Sequence, residues 1–338
     1  MALSTLVIFG IVLCLTQPVT IIANLLTIIA FTKVPSLQTH TSNLLIFALS
    51  ITDFIFGIYQ FLYFGIPFAF ELKHPLGEIG CMLIAPFEYA YNVGNLFLVA
   101  ISIDRILLVS MDYSKYVKLM TTLRIKVVIG ICVLICLVAM AFELSMWNYA
   151  KRNNDNAASI NFNETCLFPP RRMPWFGTYV TICFFFLPLI LVSIFSIIFV
   201  KRLVVRLGRN KRVAPDSSTQ STDDSGPNNA SRNQDETGSC PPPAATEKDA
   251  SKKRYIKAAV TLAALVSAMC ISMLPYCTYI TVVAVAGSYS PIVSLLMYFM
   301  LLLNPLLDPL FFAATQKGIR EYYGGKIRGM VRSFCSRN

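Results

Sequence analysis

Charge is scarce in this chain of 338 residues: Asp, Glu, Lys and Arg make up 14% of it, against 55% hydrophobic residues. Soluble domains carry roughly 25% charged residues, so a water-solvated fold is the first class excluded. Histidine is nearly absent. The two that occur, His40 and His74, lie between apolar runs, and no HExxH or GxSxG pattern is present. Metal-assisted or acid–base catalysis has little to work with, so no enzyme, metal or cofactor is expected from composition. No period of roughly 20–50 residues recurs and no inverted halves are evident, which argues against a solenoid or a repeat-built transporter. A multi-pass transporter stays as a remote alternative.

What is abundant is apolar sequence, with a mean hydropathy of +0.61. Crossing roughly 30 Å of hydrocarbon takes about 20 mostly apolar residues. Seven runs are long enough, at about 4–32, 43–68, 80–110, 125–147, 175–200, 256–286 and 290–313. Each is too long for a strand, and lipid excludes open irregular backbone, so all seven are predicted helices. The opening MALSTLVIFGIVLCLTQPVT could pass for a signal peptide, but it lacks a basic leader. Its apolar run continues to Phe31, long enough to span. The expected fold is an all-α membrane protein, a seven-transmembrane helix bundle at the plasma membrane.

The formal charge of +11 could suggest nucleic acid, but its placement says otherwise. With the N-terminus outside, 24 of the 29 Lys and Arg fall on the inner side; the exceptions are Lys73, Lys151, Arg152, Arg171 and Arg172. This positive-inside bias sets the topology as N-out, C-in, with no nucleic-acid partner. Residues 1–213 then carry the first five spans, 214–251 a cytoplasmic loop, 252–315 the last two spans and 316–338 a tail. The loop, APDSSTQSTDDSGPNNASRNQDETGSCPPPAATEKDAS, is too polar to fold alone and is expected to be disordered. Basic residues flank it where they would meet anionic membrane lipids. The tail mixes basic and apolar residues, as suits a short amphipathic eighth helix on the inner leaflet, although its Gly324-Gly325 pair weakens that reading. Cys335 in the tail is a candidate palmitoylation site.

Ten cysteines are present, and only Cys81 and Cys166 fall on the outer, oxidising side, where they make the natural disulfide. Asn163-Glu164-Thr165 lies in the same outer loop and offers Asn163 as a glycosylation acceptor.

Polar residues inside the spans are costly in lipid and so mark function by default. Asn24 and Asp53 lie in the first two spans, and Asp104-Arg105 closes the third. Pro188, Pro275 and the pair Asp308-Pro309 interrupt the last three. This order of landmarks, with a cystine from the third span to the outer loop, resembles the rhodopsin-like G protein-coupled receptors over the whole chain except the loop. The resemblance implies a heterotrimeric G protein as partner, together with receptor kinases and arrestin. Asp104-Arg105 is similar to the family's DRY motif, with Ile106 in place of tyrosine; there the arginine is released to the G protein when the sixth span swings out. Lys257 resembles the basic foot of that span. Tyr255 stands where many members carry a second acid for the arginine, which implies a missing lock and raised basal activity. Met273 precedes Leu274-Pro275 where the family favours a tryptophan switch.

The nearest flavour is aminergic, close to muscarinic acetylcholine and histamine receptors, implying a small extracellular ligand and in particular a cationic amine. Tyr276 follows Pro275 and Tyr298 lies eleven residues before Pro309, resembling the tyrosines of an amine cage. Aromatic faces around a carboxylate suit a cation. Glu88, followed by Tyr89, is the candidate counter-ion, and Thr181 a candidate hydrogen-bonding partner for the ligand. Counting from Arg105, however, the amine position falls on Phe87, and one residue turns a side chain by about 100°. A local irregularity in the third span would restore Glu88; otherwise it faces elsewhere, toward Arg171 and Arg172. A peptide, a lipid or another non-amine ligand is the alternative.

LLLNPLLDPLFF offers two registers for the family's NPxxY motif. Asn304-Pro305 puts an acid in the tyrosine's place; Asp308-Pro309 gives a DPxxY-type variant closed by Phe312, and leaves Asn304 where the family favours asparagine. The second is preferred. Asp308 then faces Asp53 and Asn304 in what resembles the family's sodium pocket. Two adjacent carboxylates need a cation or proton between them, so sodium is one candidate occupant, and one shared proton with a few waters is the other.

Overall fold

The computed structural model describes residues 2–39, 41, 43–71, 84–153, 179, 181–212, 244–286 and 290–335, and no strand occurs among them. Seven helices in this set are long and apolar enough to cross a membrane. They are α1 (Ala2–Lys33), α2 (Asn43–Gln60, continuing through a wide turn at Phe61–Gly65 into Ile66–Ala69) and α3 (Ile84–Ser110). There follow α4 (Thr122–Asn153), α5 (a wide turn at Ile182–Phe186 leading into Leu187–Arg212), α6 (Ala244–Ala286) and α7 (Pro291–Thr315). An eighth helix, α8 (Lys317–Cys335), follows at the inner end.

The spans close into a ring, α1 on α2, α2 on α3, α3 on α5, α5 on α6, α6 on α7 and α7 back on α1, with α4 flanking α2 and α3. Lipid is as apolar as leucine, so close approach of backbones and internal hydrogen bonds, rather than burial, hold such helices together. Gly10 shows the first: a Cβ there would collide with the backbone of Phe68 and Ala69, so only glycine lets α1 lie against the end of α2. On the lipid side, α4 exposes the stripe Leu123, Val127, Ile131, Leu134 and Val138.

Hydrogen bonding inside the bundle answers two of its prolines. A proline cannot donate to the carbonyl four residues earlier, and in lipid that carbonyl must find another donor. Pro188 frees the carbonyl of Phe184, and the Nδ2 of Asn95 on α3 donates to it at 3.1 Å. Pro309 frees the carbonyl of Pro305, and the Nδ2 of Asn24 on α1 donates to it at 3.0 Å. Two intramembrane asparagines thus stitch α3 to α5 and α1 to α7 at the points where proline opens the helix.

The chain turns out of α7 at Gln316, in an extended conformation, and α8 folds back on α7 and α1. Ile319 is fully buried beneath it. The Tyr323 hydroxyl lies 2.6 Å from that of Thr27 and donates to the Ala23 carbonyl at 2.8 Å. Gly324-Gly325 does not interrupt this helix, since the docked tyrosine offsets the weak propensity of the pair. The boundary at residue 252 also shifts: α6 begins at Ala244, inside the 214–251 segment expected to be disordered. Ala244-Ala245-Thr246-Glu247-Lys248 just after Pro243 is rich in helix formers, and proline suits a helix start. Cys81, Cys166 and Asn163 fall outside the described residues, as do the side chains of Glu88, Lys257 and Cys335.

Candidate functional site

Three levels of interior side chains follow one another down the bundle. At the outermost, the rings of Tyr276 on α6 and Tyr298 on α7 lie 6.3 Å apart, tilted by 59°. Tyr298 also meets Phe9 of α1 at 6.1 Å and Phe64 of α2 at 6.2 Å. Tyr276 meets Phe185 of α5 at 5.6 Å, Phe185 meets Tyr91 of α3 at 6.0 Å, and Tyr91 meets Phe56 of α2 at 4.9 Å. Tilted contacts in this distance range are those that aromatic quadrupoles favour. Gln60, at the last residue before the wide turn of α2, donates its Nε2 to the Tyr298 hydroxyl at 2.7 Å.

Of the residues expected to line a ligand site, Tyr276 and Tyr298 are therefore brought together. Tyr89 meets Phe184 edge-on at 5.6 Å, and Thr181, also buried, stands one turn before Phe184. This second group lies on the α3–α5 side and is joined to the first through Phe185. The irregularity in the third span that would restore Glu88 to the family position is not there: α3 is an unbroken α-helix from Ile84 to Ser110. By helical period, position 88 falls in line with Tyr91, Asn92 and Asn95, all buried in the bundle.

One level deeper, Asp53 of α2 and Asp308 of α7 are both buried and within side-chain hydrogen-bonding reach of each other. Gly94 of α3 packs beside them; a Cβ there would lie 3.9 Å from Asp53 Oδ1 and 3.3 Å from the Thr52 hydroxyl. Asp53 Oδ2, both Asp308 oxygens and the Asn304 Oδ1 one turn earlier have no other hydrogen-bond partner among the described residues. Two facing carboxyls cannot both stay ionised without a cation or proton between them. Four buried acceptors of hard oxygen character fit a hard monovalent cation. Among the described residues no three His, Cys, Asp or Glu side chains come together, so the pair offers fewer carboxylates than the clusters that hold divalent ions.

At the inner end, Asp104 is buried and shared between two partners. Tyr116, on a short helix at Tyr113–Leu119, donates to its Oδ1 at 2.7 Å, and Arg105 Nε stands 3.7 Å from its Oδ2. Arg206 of α5 donates to the carbonyls of Val109 and Met111 at 2.7 and 2.8 Å, capping the end of α3. Leu108, Val109 and Tyr116 pack with Phe199 and Leu203 of α5 and Leu262 of α6 in a separate apolar cluster. Met273, before Pro275, and Phe312, after Pro309, are fully buried in the main core.

Four interior residues escaped the sequence reading: Gln60, Tyr91, Asn95 and Tyr116. Gln60 and Asn95 carried a usable signal, being polar residues inside apolar spans like Asp53. Tyr91 and Tyr116 carried none, because tyrosine is common both in cores and at interfaces.

The sequence matches the family described as 7 transmembrane receptor (rhodopsin family) over residues 23–312. Among known proteins it is similar to trace amine-associated receptor 9 of Homo sapiens, 26% identical over 314 residues, covering 90% of this chain and 81% of the relative. The receptor of the same name from Mus musculus is 25% identical over 317 residues, covering 91% of this chain and 82% of the relative.

Proposed function

Because the chain belongs to the rhodopsin family of seven-transmembrane receptors, we propose that it answers a small cationic amine outside the cell and drives heterotrimeric G proteins inside. The family consists of receptors rather than enzymes, and the chain is a multi-pass protein of the plasma membrane. The amine reading rests first on the aromatic set around Tyr276 and Tyr298, whose ring faces attract a cation where water is excluded. Both relatives carry trace amine in their names, which agrees with it. Glu88 supplies the counter-ion from the line of Tyr91, Asn92 and Asn95, one residue away from the family register. Tyr89 and Thr181 bound the α3–α5 side of the same site.

The signal passes the acid pair on its way inward. Asp53, Asp308 and Asn304 would hold a sodium ion, which would supply the positive charge that lets both carboxyls stay ionised and so favour the resting arrangement. Asp104 and Arg105 form the contact for the G protein, with Lys257 of α6 as a further basic contact; Met273, Pro275, Pro309 and Phe312 carry the movement. Receptor kinases and arrestin act on the same inner face, and a palmitoyl group on Cys335 ties α8 to the inner leaflet. A Cys81–Cys166 bridge and a glycan on Asn163 belong to the outer face.

Amines applied to cells expressing the full chain test this reading through G protein turnover. Loss of a buried counter-ion costs about 2 kcal/mol or more. Glu88→Gln should therefore shift an amine response by at least about 30-fold. A response unmoved by that change removes Glu88 from the site, and turnover driven by peptides or lipids but by no amine replaces the amine reading altogether.

A further inference from the structure

Gln60 is fully buried, and its amide is only half satisfied. Its Nε2 donates to the Tyr298 hydroxyl at 2.7 Å, while its Oε1 has no hydrogen-bond partner among the described residues. An amide oxygen left without a donor in a low-dielectric interior carries its full desolvation cost. The residue's place is equally specific. It ends the regular part of α2, immediately before the wide turn Phe61–Gly65. Wide turns of this kind occur often at functional sites. Its partner Tyr298 is the ring on which Tyr276, Phe64 and Phe9 converge. An amide acceptor therefore stands beside the aromatic set around Tyr298, tied to it by the bond its other end makes.

We propose that Gln60 is a specificity-determining residue of the ligand site, whose side-chain oxygen accepts a hydrogen bond from an N–H of the ligand's ammonium group. The inference deepens the amine reading above and rests on it for the charge of the ligand. Aromatic faces alone do not distinguish ammonium ions by their degree of methylation, and they welcome a quaternary ammonium. A fixed carbonyl does distinguish them. A primary ammonium presents three N–H donors and leaves one for Gln60 after pairing with a carboxylate, whereas a quaternary ammonium presents none and leaves the buried oxygen unpaired. Sites built to hydrogen-bond a polar group reject analogues that lack it. The receptor thus selects primary and secondary amines over quaternary ones.

The test uses four probes with one ring: 2-phenylethylammonium, its N,N,N-trimethyl analogue, 2-phenylethanol and ethylbenzene. Each is measured by thermal shift on the purified full chain and by G protein turnover in cells. The expected result is that the primary ion binds about 10- to 100-fold more tightly than the quaternary one, the range of a charge-assisted hydrogen bond. Gln60→Leu should erase that preference by weakening the primary ion alone. Gln60→Glu, which keeps an acceptor for both Tyr298 and the ligand, should retain it, and guards against a Gln60→Leu protein that fails to fold. Equal binding of the two ions by the wild type, or a preference that survives Gln60→Leu, overturns the proposal and leaves a bound water as the partner of Oε1. If no ammonium binds but 2-phenylethanol outcompetes ethylbenzene through Gln60, the donor-reading role stands and the amine reading falls. If none of the four binds, both fall.

Discussion

The match between Asn24 and Pro309 can be broken and restored by mutation, which makes it a demanding test of the bundle's internal logic. Asn24 is fully buried, and its Nδ2 donates to two carbonyls, Thr20 and Pro305, each at 3.0 Å. The Thr20 carbonyl lies inside α1, where the backbone already serves it, so its loss is tolerable. The Pro305 carbonyl has no backbone donor, because the residue four further on is Pro309. Asn24→Leu keeps most of the volume and orphans that carbonyl. In water-soluble cores the cost would be about 1–3 kcal/mol; between membrane helices measured values average about 0.6 and reach about 1.7 kcal/mol. A loss near 1 kcal/mol is expected, an apparent melting shift of roughly 2 °C for a chain of this size in detergent. In a Pro309→Ala background the new backbone N–H takes over the carbonyl, and Asn24→Leu should then cost little. The two changes are thus predicted to be non-additive by about 1 kcal/mol. Asn95→Leu, which orphans the carbonyl freed by Pro188 on the far side of the bundle, should add to Pro309→Ala without coupling. Additivity of Asn24→Leu and Pro309→Ala within about 0.5 kcal/mol would refute the reasoning.

Replacing sodium chloride by N-methylglucamine chloride at constant ionic strength should lower the apparent melting temperature of the wild type and leave Asp53→Asn and Asp308→Asn unmoved. Sodium at ten times its Kd would contribute about 1.4 kcal/mol; equal sodium responses in all three proteins would place the ion elsewhere or nowhere. Tyr323→Phe removes the hydroxyl that ties α8 to Thr27 and Ala23. Amide exchange over 317–335 should quicken about fivefold, for a bond worth roughly 1 kcal/mol, with the spans unaffected. Burial pushes the Tyr323 phenol above its ordinary value, and the bond to Thr27 opposes that only in part. The docked form is the protonated one, so docking is complete below the ordinary tyrosine value of about 10 and is lost as pH rises through the raised value. A wild-type minus Tyr323→Phe titration of tyrosinate absorbance should show a phenol ionising above that value, and one ionising at or below it would mean that α8 is not held this way.

Most of the fold was legible because lipid narrows the choices. A run of twenty apolar residues has one stable form, and the charge asymmetry orients it, so seven spans and their direction followed from composition and placement alone. The meeting of Asp308 with Asp53 was legible for a related reason: both are acids inside apolar spans, where a buried carboxyl needs a polar neighbour. What could not be read depended on three-dimensional adjacency between ordinary residues. Nothing in Phe61–Gly65 announces a wide turn, and nothing in Tyr91 distinguishes an interior ring from a lipid-facing one. The start of α6 at Ala244 is hard to place for another reason: polar composition points to disorder, while Ala, Glu and Lys favour a helix whether or not they are buried. Continuity of α3 was likewise invisible, and it matters most, since it decides the position of Glu88.

The inner end shows how restraint is divided where the foot of α6 carries Tyr255. Sequence puts Tyr255, not an acid, at the foot of α6, so Arg105 gains no carboxylate from that position. Its neighbour Asp104 is a divided partner, 3.7 Å away on one oxygen while Tyr116 takes the other at 2.7 Å. An ion pair that long, beside a shorter competing bond, is a weak latch, because the hydrogen-bond geometry that strengthens charged pairs is missing. Among the described residues, α6 meets α3 and α5 at this end through the apolar set in which Leu262 packs with Phe199, Leu203 and Leu108. Apolar packing in a membrane has no hydrophobic drive behind it, only the loss of contacts when helices part. Outward movement of α6 therefore works against these dispersion contacts. A receptor so arranged should rest closer to its active form, with basal signalling set by the fit of a few leucine and phenylalanine side chains.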